Sequence, residues 1–262
     1  MSKPIIAVAG WMTLSVALAV AGGGAALAEG CLFEPQGEGR VAEVIDGRSF
    51  RLTDGREIRL AGIESAGDET TKPRRTAALA ALIAGRDVTL LWPDDTPDRY
   101  GRQSAIVMLG STETTVQGLL LRQGDALVSA EIADKDCAAE LGQAEAEGRQ
   151  AKKGVWTDPA VTKNTESSGN ILAGIGQFVV VEGTVVSVRQ SGTTTYLNFG
   201  RNWTQGFAAI ISGRARPALE SAGISLKSLE NRRIRVRGFV EARPGPRIDV
   251  LRVGQIEIVG SN

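Results

Sequence analysis

The chemistry open to this chain of 262 residues is limited first by a missing side chain, because the sequence contains no histidine. This excludes Ser-His-Asp and Cys-His nucleophiles, histidine-ligated zinc and any imidazole general base. Any catalysis must therefore use carboxylates, arginine, lysine, hydroxyl groups or a hard cation.

One arginine-rich run near the C-terminal end could bind a polyanion. On a strand, alternation places Arg233, Arg235 and Arg237 on one face and the apolar residues between them on the other. Tyr196, in another predicted strand, lies on the face opposite its apolar neighbours. Because OB-type surfaces hold single-stranded nucleic acid with basic strands and exposed aromatics, we interpret these four residues as nucleic-acid contacts. The alternatives are protection of an edge strand and docking against an acidic domain.

The charge distribution predicts two domains. The formal net charge is zero, with 30 basic and 30 acidic side chains, which excludes a simple polycation. Residues 29–170 carry 17 basic and 24 acidic side chains, hence −7, whereas residues 171–262 carry 12 and 6, hence +6. A polar, aperiodic stretch at 158–176 predicts a linker between domains at 29–157 and 177–262.

The N-terminal segment has the pattern of a targeting signal. Residues 4–28 carry no charge and end on a small-x-small pattern, so residues 1–28 are predicted to be a cleaved signal peptide. We therefore expect a periplasmic or secreted protein with no stable membrane span after cleavage. The alternatives are an uncleaved anchor and a lipoprotein modified at Cys31.

The chain has two cysteines, Cys31 and Cys137, and both lie in the exported portion. In an oxidising compartment an even pair predicts a disulfide, which would join the mature N-terminus to a late helix. A reactive thiol is the alternative.

Turn signals and periodicity predict a mainly β fold with helices, of the α+β class. Five strands with helices after the third and the fifth are typical of a small barrel plus helices. Asp-Gly pairs mark the hairpins and glycines end the helices. The two basic pairs Arg74-Arg75 and Lys152-Lys153 are assigned to solvated helix faces. The predicted strands are 40–45, 49–53, 57–63, 87–92 and 103–109, and the predicted helices are 73–84, 114–123 and 135–153.

The second domain is also rich in predicted strands. Their order suits a second, OB-like β-barrel, with another small barrel or a sandwich as the alternative. The predicted strands are 178–188, 193–199, 206–211, 232–240, 247–251 and 255–259, with helical turns at 214–229.

Five segments of the first domain occur in the order found in the staphylococcal-nuclease-like, or thermonuclease, family, which residues 40–158 resemble. The resemblance implies an OB-fold phosphodiesterase that uses calcium and no histidine. The segments are 44–47 (Val-Ile-Asp-Gly), 58–65 (Ile-Arg-Leu-Ala-Gly-Ile-Glu-Ser), 98–102 (Asp-Arg-Tyr-Gly-Arg), 121–124 (Leu-Arg-Gln-Gly) and 145–156.

The resemblance also implies roles for four residues. Family members neutralise the anionic phosphodiester with two arginines, carboxylates on a hard cation and a glutamate base. Arg59 and Arg102 stand at the positions of the catalytic, phosphate-binding arginines, whose guanidinium forks match phosphate oxygens. Glu64 stands at a metal-ligand position and is a candidate catalytic residue, and Ser65 is a weaker candidate ligand through its carbonyl.

Two positions depart from the family pattern. Arg48 stands where the family usually has its other metal-ligating aspartate, and Gly67 stands where the general-base glutamate would be. Asp68 or Glu69, in the same turn, is a candidate replacement base. A charge interaction at about 4 Å and an effective dielectric of 20 is worth about 4 kcal/mol, so Arg48 is expected to weaken the calcium site.

The arginine at position 48 favours an anion. Together with Arg59 and Arg102 it would form a phosphate clamp that needs no metal. Alternatively, Arg48 points into water and Arg59 forms a structural ion pair with Glu57 or Asp46. Three functions therefore stay open: slow calcium-assisted phosphodiester hydrolysis of DNA or RNA, non-catalytic binding of nucleic acid or another polyanion, and an envelope scaffold with protein partners.

Overall fold

A computed structural model describes residues 30–67, 69–110, 114–202 and 204–260. The predicted signal peptide and the candidate base Asp68 lie outside the described residues. None of the helices in the described ranges combines the length and the apolar character needed to cross a membrane.

A closed five-stranded barrel occupies the first half of the described chain, and a short strand pair lies beside it. The barrel strands are β1 (Pro35–Asp46), β2 (Ser49–Leu52), β3 (Glu57–Leu60), β5 (Asp87–Leu91) and β6 (Arg102–Leu109), and the separate pair is β4 (Ile63–Glu64) with β7 (Leu127–Val128). The barrel order is β1-β2-β3-β6-β5, with β3 and β6 parallel. Alternation along the strands buries Phe50, Ile58 and Leu60 inside, where each is 0% exposed. The predicted first barrel is confirmed.

Three helices pack on the barrel: α1 (Lys72–Ile83), α2 (Val116–Gln123) and α3 (Lys135–Gln150). The Asp134 side chain caps α3 by accepting a hydrogen bond from the backbone N–H of Cys137 at 2.8 Å. Gly124 ends α2 with a φ of 70°, a left-handed conformation that glycine adopts without strain. Cys137, in the first turn of α3, forms the predicted disulfide with Cys31.

The C-terminal half forms one eight-stranded sheet with two short helices. Its strands are β8 (Thr162–Asn164), β9 (Phe178–Thr184), β10 (Ser187–Ser191), β11 (Thr194–Asn198), β12 (Ala208–Ile211), β13 (Arg233–Ala242), β14 (Pro246–Val250) and β15 (Ile256–Ile258), and its helices are α4 (Ser168–Leu172) and α5 (Arg216–Ser221). The order is β10-β11-β12-β14-β13-β9-β8, and β15 also pairs with β13. The prediction of a second closed barrel is not confirmed. The predicted strand 178–188 is interrupted at Val185 and Val186, so β9 and β10 lie at different places in the sheet.

The segment predicted as a linker, 158–176, is folded against this sheet. β8 pairs in parallel with β9, and Ile171 of α4 is fully buried in the core of the sheet. The hydroxyl-bearing Thr165 is also buried. The segment is therefore part of the packed structure and not a free tether.

The barrel and the C-terminal sheet have separate apolar cores that meet through a third cluster. This interface cluster contains Ala66 and Leu127 from the barrel side, Trp156 after α3, and Phe178 and Val180 of β9. The two units therefore pack directly on each other, and the contact places β9 beside the loop that follows β4.

Candidate functional site

Three of the predicted site residues meet in one ion cluster on the barrel. Nη2 of Arg59 lies 3.3 Å from Oε1 of Glu64, and Nη1 of Arg48 forms an ion pair with the same oxygen. Glu64 is only 7% exposed, while the two arginine side chains are about one-fifth exposed, at 20% and 22%. A buried carboxylate therefore holds two guanidinium groups that remain partly open to solvent.

The hairpin between β1 and β2 brings Arg48 to this cluster. The backbone N–H of Arg48 donates to Oδ1 of Asp46 at 2.8 Å, which closes the predicted Asp-Gly turn. The backbone carbonyl of Arg48 accepts from the N–H of Leu60 at 2.8 Å, so the turn is anchored to β3. Arg48 thus points at β4, where its side chain also donates to the carbonyl of Ile63 at 3.4 Å. The alternative that Arg48 points into water is wrong.

Arg102 lies on the same face of the barrel as Arg59, on the neighbouring strand. In the parallel pairing of β3 with β6, Glu57 is opposite Arg102 and Arg59 is opposite Ser104. An offset of two residues on adjacent strands separates the Cα atoms of the two arginines by about 8 Å. The geometry therefore brings both predicted phosphate contacts to one surface, as the clamp requires.

Arg102 already has a carboxylate partner. Its Nε and Nη2 donate to Oδ2 of Asp98 at 3.0 and 2.8 Å, and its guanidinium carbon lies 5.0 Å from the ring centroid of Tyr100. The hydrogen bond from Arg102 lowers the pKa of Asp98 to about 2. The Asp98 carboxylate thus stays charged and holds Arg102 against the barrel.

We expect Asp98 to titrate at about pH 2 in the folded protein. Because the folded-state pKa lies below the ordinary value of about 4, the pair stabilises the fold at pH values above about 4. That contribution is lost as the pH falls through 2. A carboxyl-carbon NMR titration measures the midpoint, which Arg102→Ala should return toward about 4. Arg99→Ala, which removes the neighbouring arginine, should leave it near 2, and a wild-type midpoint near 4 would contradict the pairing.

The positive charges of the arginine cluster act on one another. Burial is the main cause that lowers the pKa of Arg59, followed by the adjacent charge of Arg48, while Glu64 opposes both and Arg102 adds a smaller lowering effect. Glu64 pairs with both Arg48 and Arg59, and Asp98 pairs with Arg102, while Glu131 acts on Arg59 and Glu57 and Asp46 act on Arg102 from further away. A bound anion would relieve the remaining repulsion.

The residues around Glu64 do not fit a calcium ion. Calcium takes six to eight oxygen ligands, and carboxylates are prominent among them. Here Glu64 already accepts two guanidinium groups, whose charges would repel a dication. The described part of the chain also holds no group of three or more acidic, histidine or cysteine side chains suited to a metal ion.

The described residues of the turn after β4, which exclude Asp68, offer a poor general base. Gly67 has a φ of +82°, and a Cβ there would lie 2.6 Å from Oγ1 of Thr71, so a glutamate at this position would be strained. Glu69 has a side chain that is 88% exposed and lies 3.7 Å from Nζ of Lys72. Ser65 is half-buried beside Glu64. None of these described residues places a carboxylate against the arginines from the turn.

Arg75 lies on the buried face of α1, so its assignment to a solvated helix face is wrong. The buried residues of α1 are Arg75, Leu79 and Ile83, which recur every four residues on one helix face. Nη1 of Arg75 donates to the carbonyl of Ala66 at 2.6 Å. A Cβ on Gly47 would lie 2.7 Å from Cβ of Arg75, so this glycine allows the helix to approach the hairpin. The helical period alone could have identified Arg75 as buried.

Two aromatic side chains of the C-terminal sheet border cavities that reach Glu64 but not the arginines of the cluster. Phe178 of β9 and Phe239 of β13 stack edge to face, with ring centroids 5.5 Å apart. Both line a cavity of about 460 Å³ and a second of about 320 Å³, and Glu64 borders each of them. Phe239 is 52% exposed. A ligand that approaches Glu64 from this side therefore meets an aromatic surface from the second unit. The first cavity also contains Asp46, Ser65, Glu69 and Arg75, and the second contains Glu131 and Glu241.

The three arginines of β13 lie on one face, as predicted, but they are already paired. Nε of Arg233 lies 2.7 Å from Oε1 of Glu182, and Arg235 contacts Glu182 and, at 2.6 Å, Glu257. Only Arg233 is well exposed, with 63% of its side chain open to solvent. The row is thus a network of ion pairs more than an open basic surface.

Arg237 serves the contact between the two units. It is 5% exposed, and its two Nη atoms donate to both carboxylate oxygens of Glu145 in α3, at 3.0 and 2.8 Å. Its Nη1 also donates to the carbonyl of Val128 at 3.2 Å. A nucleic acid cannot reach this guanidinium in the packed structure, so the docking alternative describes Arg237 better than the nucleic-acid one. Tyr196, by contrast, is half-buried on the outer face of the sheet, with its neighbours Thr195 and Leu197 buried.

Comparison with known proteins agrees with the barrel geometry. The family model described as staphylococcal nuclease homologue matches residues 57–158, while no curated protein matches the chain. The match begins at β3, so it includes Arg59, Glu64 and Arg102 but not the hairpin that carries Arg48. From β3 onward, over residues 57–158, the barrel unit is therefore similar to staphylococcal nuclease homologues.

Proposed function

We propose that this is an exported nucleic-acid-binding protein whose barrel site holds a phosphate with arginines and does not cleave it with calcium. The observation that carries the proposal is the pairing of both Arg48 and Arg59 with Glu64. This pairing occupies the one carboxylate that the family resemblance assigns to the metal, and it gathers guanidinium groups at the same point.

A phosphate suits this arrangement for reasons of charge and geometry. Each guanidinium has five N–H donors, and Glu64 uses only some of those on Arg48 and Arg59. The remaining donors on these partly exposed side chains are available to the oxygens of a phosphodiester, which guanidinium groups bind in a forked geometry. Arg102, on the same barrel face, would contact a neighbouring phosphate.

Export is supported by the disulfide. Cys31 and Cys137 are joined, and structural disulfides persist mainly in oxidising compartments. The signal peptide itself lies outside the described residues and stays a prediction from the sequence. We propose a periplasmic or secreted location on these two grounds.

We also propose that the C-terminal unit is OB-like and that the chain divides into two domains, with the segment 158–176, predicted as a linker, packed as part of the second. If β9 and β10 are counted as one interrupted strand, the two units have the same strand order. With the strands of each unit numbered along the chain, the order across the sheet is first, second, third, fifth and fourth, and the fourth strand pairs again with the first. In both, the third and fifth strands pair in parallel. The separate apolar cores support the two-domain division.

The test is binding and cleavage of a 30-nucleotide single-stranded DNA by the mature chain, in calcium and in chelator. We expect equal binding in both, no cleavage, and about tenfold weaker binding by Arg59→Ala, because charge-assisted hydrogen bonds to phosphate are lost. Fluorescence anisotropy at low salt measures the binding, and gel electrophoresis measures cleavage. Arg51→Ala, which removes a more exposed arginine of β2, is the matched control and should bind like the wild type.

Two outcomes contradict the proposal. Cleavage that requires both calcium and Arg59 would make the protein a nuclease with a functional metal site. No binding at low salt, where phosphate contacts are strongest, would favour the scaffold. In the same assay, Arg48→Asp removes the guanidinium that competes for Glu64 and is expected to make binding sensitive to calcium. Adding Gly67→Glu to Arg48→Asp, to restore the general-base glutamate, is not useful, because the backbone conformation of Gly67 disfavours a side chain.

A further inference from the structure

The C-terminal sheet has a basic groove that is distinct from the arginine row of β13. The groove has a volume of about 770 Å³ and lies on the outer face of β10, β11, β12 and β14. We propose that it is a second binding site, for single-stranded nucleic acid, with Tyr196 as the stacking surface for a base. The proposal shares its ligand class with the proposed function but concerns other residues and does not require the barrel site to bind.

Strand register aligns the groove residues in two rows across the sheet. In one row Arg189 of β10 is opposite Tyr196 of β11, which is opposite Ile210 of β12. In the other row Asn198 is opposite Ala208, which is opposite Arg247 of β14. Because neighbouring strands lie about 4.8 Å apart, Tyr196 has Arg189 close by on one side and Ile210, followed by Asp249, on the other, while Arg247 lies in the second row.

The groove has more positive charge than its carboxylates neutralise. Arg189 and Arg201 form no ion pair with any other described residue within 4.0 Å. Arg243 and Arg247 share Glu241, at 3.8 and 3.2 Å. Asp249 adds a weaker contact to Arg247 at 3.8 Å. Two exposed arginines are thus free for phosphates, in a half of the chain whose net charge is +6.

Small residues make the groove deep enough for a base. Gly200, Gly206 and Ala208 line its floor beside Tyr196. A Cβ on Gly245 would lie 3.0 Å from the carbonyl oxygen of Gly206, so glycine lets the β13–β14 turn close over the groove end. An aromatic ring beside an open floor and basic walls is the combination that holds unpaired bases by stacking and their phosphates by charge.

The predicted ligand is single-stranded because stacking on Tyr196 requires a base that is not stacked within a duplex. A duplex would offer the groove phosphates alone. The sequence pattern grouped Tyr196 with the arginines of β13. The register shows that its neighbours across the sheet are Arg189 and Ile210 instead.

The experiment measures binding of the mature chain to a 30-residue oligothymidine and to a duplex of equal length. The groove variant Arg189→Glu/Arg201→Glu is compared with Arg214→Glu/Arg232→Glu, which changes the net charge equally at exposed arginines outside the groove. We expect the groove variant to bind at least tenfold more weakly and the control to stay within about threefold. Tyr196→Ala should bind about fivefold more weakly or worse, and Tyr196→Phe, which keeps the ring, should bind like the wild type.

Photo-crosslinking with 5-bromodeoxyuridine in the oligonucleotide locates the contact, and the peptide that contains Tyr196 is the expected product. Equal losses in the groove and control variants, equal affinity for the duplex, or no effect of Tyr196→Ala would overturn the proposal. The two sites fail separately. If Arg59→Ala binds normally while the groove variant does not, the result supports the groove site and contradicts the barrel site. If the groove variant binds normally while Arg59→Ala does not, the result supports the barrel site and contradicts the groove site.

Discussion

Replacing Arg237 by alanine is expected to destabilise the protein by about 3–5 kcal/mol, the usual effect of removing one partner of a buried ion pair. Glu145, which is 1% exposed, would lose its bidentate partner and keep only the more distant Arg149, whose Nη1 lies 3.7 Å from Oε2 of Glu145. The free energy of unfolding, measured by urea denaturation at pH 7, gives the loss directly.

The electrostatics of this pair explain the size of the effect. Burial alone would lower the pKa of Arg237, but the carboxylates of Glu145 and Glu257 outweigh it and raise that pKa. The interaction is therefore strong only because both charges are present together. Glu145 also accepts a hydrogen bond from the N–H of Val128 at 2.8 Å, so a displacement of the Glu145 carboxylate would disturb β7 as well.

Two controls separate the effect of breaking this ion pair from the general effect of removing an arginine. Arg233→Ala, on the same strand face but well exposed, should change stability by less than about 1 kcal/mol. The double change Arg237→Met/Glu145→Gln removes both charges, keeps an acceptor for the N–H of Val128 and should recover most of the loss. If Arg237→Ala were as stable as Arg233→Ala, the interface pairing would not exist in solution.

The elements of both units could be predicted from the sequence because local rules decide them. Asp-Gly pairs, glycines after helices and alternation along strands gave boundaries for β2, β3, β5 and α2 that differ from the structure by a few residues at most. These signals depend on neighbours in the chain. The pairing of β9 with β13 and the packing of the predicted linker depend on distant contacts, which no local pattern contains.

The site was only partly predictable for the same reason. The family pattern identified Arg59, Glu64 and Arg102, and strand geometry places the two arginines on one face. Alternation identified the face of Arg237 but not the helix that covers it, so a buried interface residue resembled an exposed basic one. The conformation of Gly67 and the contact of Arg48 with Glu64 depend on the turns, whose side-chain directions cannot be deduced from residue type.

The arrangement also explains why the second unit matters to the barrel site. The bidentate pair of Arg237 with Glu145 fixes β13 against α3, and Phe239 lies two residues further along the same strand. Loss of the pair would therefore move the aromatic wall of the cavities beside Glu64. The stability of the interface and the shape of the candidate site are coupled through one strand.

Removing the disulfide is expected to cost about 2–5 kcal/mol of stability, comparable to the loss at Arg237. Cys31 and Cys137 are 106 residues apart, and cross-linking so long a segment removes many conformations of the unfolded chain. Both side chains are buried, at 4% and 0% exposure, so the bond lies inside the barrel unit and not at its surface. The double variant Cys31→Ala/Cys137→Ala, unfolded in urea, measures the effect.

The response of the urea midpoint to reductant separates the effect of the cross-link on stability from the effect of packing of the two sulfur atoms. Under full reduction, the wild-type urea midpoint should fall toward that of the double variant, whose own midpoint should not respond to reductant. The barrel should lose more than the C-terminal sheet, because the bond joins the segment before β1 to α3 and the sheet lies outside the loop it closes. A wild-type midpoint that stayed constant after mass spectrometry had shown both thiols to be free would contradict the chain-entropy argument. The link between the N-terminal segment and α3 would then be held by packing and by the hydrogen bond from the N–H of Cys31 to Glu140 at 2.8 Å.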